Sequence, residues 1–132
     1  MTQTPLNLIA VCGWPGAGKD EIANTLNLLY GFRRIDDGLC LRQAVPYLFD
    51  CNSVDPFTRE GKDKIVDTVE GRKSVRYLLG TLGDALEDYF GEFFMPYNAV
   101  RQARQVEEEE GNRNFVFPSV RKNQGVYYKR QG

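Results

Sequence analysis

The stretch Gly13-Trp14-Pro15-Gly16-Ala17-Gly18-Lys19-Asp20 decides how this chain is to be read. It follows an apolar run, LNLIAVC at residues 6–12, and opens a helix-like run at residues 20–30. The apolar run is short and ends at glycine, as expected of a buried strand. A strand, a glycine-rich turn and a helix, in that order, build a cradle for phosphate. Glycine has no Cβ, so successive backbone N–H groups can turn inward toward an anion. The helix that follows adds the positive end of its dipole. Lys19 is placed to reach outer phosphate oxygens as a point charge. The spacing G-x-x-x-x-G-K is that of a phosphate-binding P-loop.

The position after the lysine departs from the general pattern. A Ser or Thr hydroxyl usually stands there as a Mg²⁺ ligand; this chain has Asp20, followed by Glu21. A carboxylate is a hard ligand that suits Mg²⁺, directly or through water. An acid at a helix start is equally favoured by the dipole alone. Both readings of Asp20 stand at the level of sequence.

Composition bounds the rest. The 132 residues suit one compact domain over 1–132. A hydrophobic share of 42%, with 8 Phe and 7 Tyr, is enough for a core. Formal net charge is −1, and the Arg and Lys residues are interleaved with acids, so no basic field draws in nucleic acid. No run is long and apolar enough to span a membrane, and the N-terminus lacks a signal-peptide layout. Cys12, Cys40 and Cys51 are odd in number without C-x-x-C spacing, and read as reduced thiols of a cytoplasmic protein. The absence of histidine removes imidazole acid–base chemistry and histidine metal sites.

Outward from the loop, helix and strand signals alternate. The helix at 20–30 carries Ile22, Leu26, Leu29 and Tyr30 on one face, and Gly31 stops it. Residues 32–35 read as a short second strand. Asp36-Asp37-Gly38 is a turn, with Asp37 as the expected N-cap of a helix at 39–49 that Pro46 bends or divides. Residues 50–73 are polar and irregular, with cations at Arg59, Lys62, Lys64, Arg72 and Lys73. They read either as a mobile substrate loop or as a solvated connection. The clearest helix runs over 74–90, capped by Ser74 and ended by Gly91, with an apolar stripe from Val75 through Leu78, Leu82 and Leu86 to Phe90. Gly80 and Gly83 inside it cost about 1 kcal/mol each against alanine, which points to close approach of a backbone or ligand.

A further helix at 96–109 has Pro96 in its first turn and ends in glutamates at 107–110, which read as a solvated helix end. Residues 114–118 form a third strand, with Ser119-Val120-Arg121 just beyond. Strands alternating with helices predict an α/β fold with a parallel sheet. Ligands bind such sheets beyond the carboxyl ends of the strands. Ser119 and Arg121 therefore fall near the loop if the first and third strands are neighbours. Taken alone, Val126-Tyr127-Tyr128 reads as a short edge strand.

GWPGAGKDEIA resembles the loop of phage-type deoxynucleoside monophosphate kinases, in which Asp commonly follows the P-loop lysine. DDGLCLRQAV, GRKSVRYLLGTLGDALEDYFG and FVFPSVRKNQG are similar to later segments of that family, in the same order over nearly the whole chain. Ser119 stands where many relatives carry Asp. The resemblance implies a P-loop kinase three-layer α/β sandwich with a small parallel sheet flanked by helices. It implies transfer of the ATP γ-phosphate to a (deoxy)nucleoside monophosphate. It also implies a helix over 122–131 ended by Gly132, with a further strand and helix to follow, hence a shortened kinase or a fragment.

Phosphoryl transfer rests on positioning and charge neutralisation, and guanidinium groups match phosphate oxygens. On the resemblance, Gly13, Trp14, Pro15, Gly16, Ala17, Gly18, Lys19, Asp20 and Glu21 hold ATP. Asp20 holds Mg²⁺. Asp37, Arg42, Arg76 and Arg121 bind the acceptor, and Lys19, Arg76 and Arg121 act on the transferring group. The partners are ATP and the monophosphate, with no nucleic acid and no membrane, and a homodimer is left open. The competing readings are another small-molecule P-loop kinase and a nucleotide-binding module without turnover.

Overall fold

Phe115, Val116 and Phe117 are completely buried. A run apolar on both faces belongs inside a parallel sheet, and there it lies. The structure, a computed structural model, describes residues 5–13, 16–121 and 123–132. In chain order its elements are β1 (Asn7–Ala10), α1 (Lys19–Tyr30), β2 (Arg33–Arg34), α2 (Leu39–Leu48), α3 (Arg59–Lys62), β3 (Ile65–Thr68), β4 (Gly71–Ser74), α4 (Val75–Phe90), α5 (Phe94–Glu110), β5 (Asn114–Phe117) and α6 (Gly125–Gln131). They divide into two compact units. One holds the described residues up to Asp37 together with Glu92–Gly132; the other is Gly38–Gly91.

The first unit is built on a three-stranded sheet in the order β1-β5-β2, with both pairs parallel. Val116 lies between Ile9 of β1 and Arg34 of β2. The first and third strands are thus neighbours, and the α/β class with a small parallel sheet is as the sequence predicts. Helix α1 packs against β2 and β5, and α6 packs against β1 and α5. The core joins Leu6, Ile35, Phe115 and Phe117 to Ala99 and Ala103 of α5 and Tyr128 of α6. The glutamates closing α5 are ion-paired: Glu110 with Arg33 at 2.7 Å, Glu107 with Arg113 at 3.3 Å.

The second unit packs α2 on α4 around Val45, Val75 and Leu78. Pro46 is carried inside α2. Ser74 caps α4 as expected, its Oγ accepting from the Tyr77 N–H at 3.1 Å. A Cβ at Gly83 would lie 3.1 Å from Leu41 Cδ1, so what crowds this glycine is a side chain of α2 and not the backbone or ligand the sequence suggests. Gly80 has no backbone close to it among the described residues.

Four other expectations are corrected. Residues 50–73 are not irregular: they contain α3 and an antiparallel hairpin of β3 and β4, closed by Thr68 Oγ1 donating to the Gly71 carbonyl at 2.6 Å. The segment Val126-Tyr127-Tyr128 is helical, not an edge strand, because it turns Tyr128 into the core. The helix predicted over 122–131 begins at Gly125, with Lys122 outside the described residues, and Gly132 caps it. The apolar face read on α1 stays in water, with Ile22 49%, Leu29 71% and Tyr30 65% exposed. This helix buries only the small Ala23, which lets its backbone rest close to the sheet. Among the described residues no helix is long and apolar enough to cross a membrane.

Candidate phosphate-binding site

The loop leaves β1 at Ala10 and enters α1 at Lys19. Val11 donates its N–H to the Phe117 carbonyl at 2.9 Å, and Val120 donates to the Val11 carbonyl at 3.3 Å. Ser119-Val120-Arg121 therefore leaves the sheet beside the start of the loop. Gly16 has φ 81° and Gly18 φ 94°, left-handed values that side chains disfavour. Gly18 is the N-cap of α1 and supplies no side-chain hydrogen bond, so no cap side chain occupies the first-turn amides. The Lys19 stem folds back over Gly13, its Cγ and Cδ 3.7 Å from where a Cβ there would stand. Trp14 and Pro15 lie outside the described residues. Ala17, Gly18, Glu21, Ile22, Thr25 and Leu26 line a cleft of about 410 Å³ beside the loop.

A charged network ties the strand ends to the first turn of α1. Arg34 Nη2 donates to Asp20 Oδ1 at 2.7 Å and to Asp36 Oδ1 at 3.3 Å. Ser119 Oγ donates to the same Asp36 oxygen at 3.5 Å. Asp20 is thus paired with a cation while its side chain stays 75% exposed. Among the described residues no group of three or more His, Cys, Asp or Glu could hold a metal. Asp20 is the loop's own carboxylate donor, with Glu21 behind it and turned toward Gly18.

Asp37 does not cap α2; Gly38 holds that position without a side-chain bond. Asp37 is instead buried, and Tyr128 donates its hydroxyl to Oδ2 at 2.6 Å. Its other oxygen, Oδ1, has no hydrogen-bond partner among the described residues. Burial pushes the Asp37 carboxyl up to about 6, opposed by the Tyr128 hydrogen bond, assisted by the Asp36 charge and opposed weakly by Arg121. The Tyr128 phenol is pushed far up, by burial first and then by Asp37.

The first unit thus gathers the loop, Lys19, Asp20, Glu21, Asp37 and Arg121 at the carboxyl ends of its strands. Arg42 and Arg76 belong to the second unit and have local partners. The Arg42 guanidinium lies 5.7 Å from the Phe57 ring centroid, and Arg76 donates to Asp63 at 3.2 and 3.3 Å. Sequence reasoning missed Arg34, Asp36 and Tyr128. The first two carry a legible signal, since they sit on and just after the carboxyl end of a short strand, where open α/β sheets generally bind ligands. Tyr128 carries none, because its bond to Asp37 spans 91 residues. Comparison with protein-family models, curated proteins and solved structures finds no match to this chain.

Proposed function

We propose that the chain is an ATP-dependent kinase that transfers the γ-phosphate to a (deoxy)nucleoside monophosphate. The observation that carries this reading is the loop itself. Two left-handed glycines and a lysine link the end of β1 to the uncapped start of α1, at the edge where β5 delivers Arg121. These residues fit a polyphosphate: open amides, a helix dipole and an ammonium converge on one place. They also fit Mg²⁺, which takes one or two protein carboxylates and completes its shell with phosphate oxygens and water. Asp20 is the carboxylate in question. When bound, Mg²⁺ supplies neutralising charge at the phosphate oxygens.

The chain's own residues do the rest. The loop amides and Lys19 hold the donor phosphates and offset the charge that shifts during transfer. Arg121 presents a guanidinium at the same edge, and in this reading it binds the acceptor phosphate. A monophosphate is already anionic near neutral pH, so the acceptor needs no general base. The network around Arg34 keeps the first turn of α1 in register with the strand ends.

A coupled assay of ADP release against a panel of ribo- and deoxyribonucleoside monophosphates tests the proposal. The expected result is turnover with at least one monophosphate, and a loss of roughly a hundredfold to a thousandfold or more in a folded Lys19→Ala variant. Near-normal turnover in that variant overturns the assignment of the loop. Turnover only with a non-nucleotide acceptor makes the chain a different small-molecule kinase. Lys19-dependent ATP binding without any product makes it a binding module.

A further inference from the structure

Arg34 touches two carboxylates through a single nitrogen. Its Nη2 is shared between Asp20 and Asp36, while Nε and Nη1 make no hydrogen bond among the described residues. Its side chain is about one-third exposed, so those donors are not sealed away. The contact to Asp20 brings the guanidinium to the first turn of α1, where the helix dipole and Lys19 already favour an anion. A guanidinium with two nitrogens free to donate at such a place is built for phosphate. The oxygen it occupies, Asp20 Oδ1, belongs to the carboxylate best placed to meet a divalent cation.

Resting on the phosphate-loop reading, we infer that Arg34 is a further ligand of the nucleotide phosphates and competes with Mg²⁺ for Asp20. The two roles are linked by charge. Arg34 neutralises Asp20 and Asp36 together, so a divalent cation at Asp20 competes with it for the same carboxylate charge, and a cation that takes Oδ1 displaces it. A displaced guanidinium finds its next partner in the phosphate oxygens that accompany the metal. Arg34 therefore supports binding of the metal-free nucleotide and lowers the advantage that Mg²⁺ adds.

Calorimetric titration of ATP, with and without Mg²⁺, into wild type, Arg34→Gln, Arg34→Lys, Asp20→Asn and Lys19→Ala tests this directly. R34Q should weaken metal-free ATP about tenfold, the loss expected for charge-assisted hydrogen bonds. It should also raise the ratio of affinities with and without Mg²⁺ several-fold, because Asp20 and Asp36 are left without their shared cation. R34K should restore part of the metal-free affinity. On the D20N background, R34Q should no longer change the Mg²⁺ ratio. A purely structural role for Arg34 would lower both affinities equally and leave the ratio at its wild-type value, and that result overturns the inference. If wild type binds ATP through Lys19 while R34Q leaves the ratio unmoved, only the Arg34 inference fails. If wild type binds no ATP with or without Mg²⁺, the loop reading and this inference fail together.

Discussion

Asp37 makes the folded chain a stronger proton acceptor than the unfolded one. Its pKa rises from 3.8 to about 6, chiefly through burial, with one oxygen unpaired among the described residues. The sign follows from linkage. Between those two values the native state holds a proton that the unfolded state has released, so this group's contribution falls as pH rises. Its stabilising protonated form is fully present below about pH 4 and is lost as pH passes through about 6. Above that, the buried charge costs on the order of 3 kcal/mol, from a shift of about two units. Asp37→Asn removes the charge while keeping an oxygen to accept from Tyr128. Urea unfolding at pH 4, 5, 6 and 7.5 should show the variant gaining on wild type as pH rises. Parallel pH profiles for the two proteins would mean that Asp37 is not buried in its charged form.

Helix α4 shows what a sequence can declare about an element. Ser74 at the cap, the stripe from Val75 and the stop at Gly91 are all local signals; the structure honours the cap and the stop and buries the stripe at Val75 and Leu78, but leaves its far end in water, with Tyr89 85% and Phe90 70% exposed. Ser74→Ala removes the Oγ that accepts from Tyr77 and should cost about 1 kcal/mol in urea unfolding, with Ser74→Asp retaining most of it. An unchanged midpoint in Ser74→Ala would show the cap to be idle. The loop was legible for a similar reason: its glycines and lysine all fall within Gly13–Lys19, and their spacing demands the turn. Elsewhere the deciding information was not local. The strands of the β3–β4 hairpin are four residues each and carry Asp67, Arg72 and Lys73, so no alternation marks them. On α1 the periodic leucines suggested a buried face, yet the small Ala23 decides how the helix sits. Asp37 had the right turn chemistry for a cap, but a tyrosine far along the chain claimed it. The candidate site was therefore readable where it is a loop and unreadable where it is a network between strand ends.

At the scale of the whole molecule, β5 is the strand on which the sheet depends. β1 and β2 do not pair with each other; each pairs with β5 alone, and Asn7 meets Asn114 across 107 residues. The second unit closes through nearer partners, its hairpin joined across Val69-Glu70 and α2 meeting α4. Loop-closure entropy makes distant pairings slow and near ones fast. Pulse-labelled hydrogen exchange during refolding should find the amides of α4 protected before those of Ile9 and Val116. Simultaneous protection would mean that the second unit has no head start. The arrangement also bears on how the chain is made. On a ribosome, the glycine-rich loop emerges about a hundred residues ahead of β5 and cannot be set against Val120 until β5 has cleared the exit tunnel. Between the synthesis of the loop and that of its supporting strand, the nascent chain carries the glycine turn with no scaffold to shape it, so the turn is set late however early its residues are made.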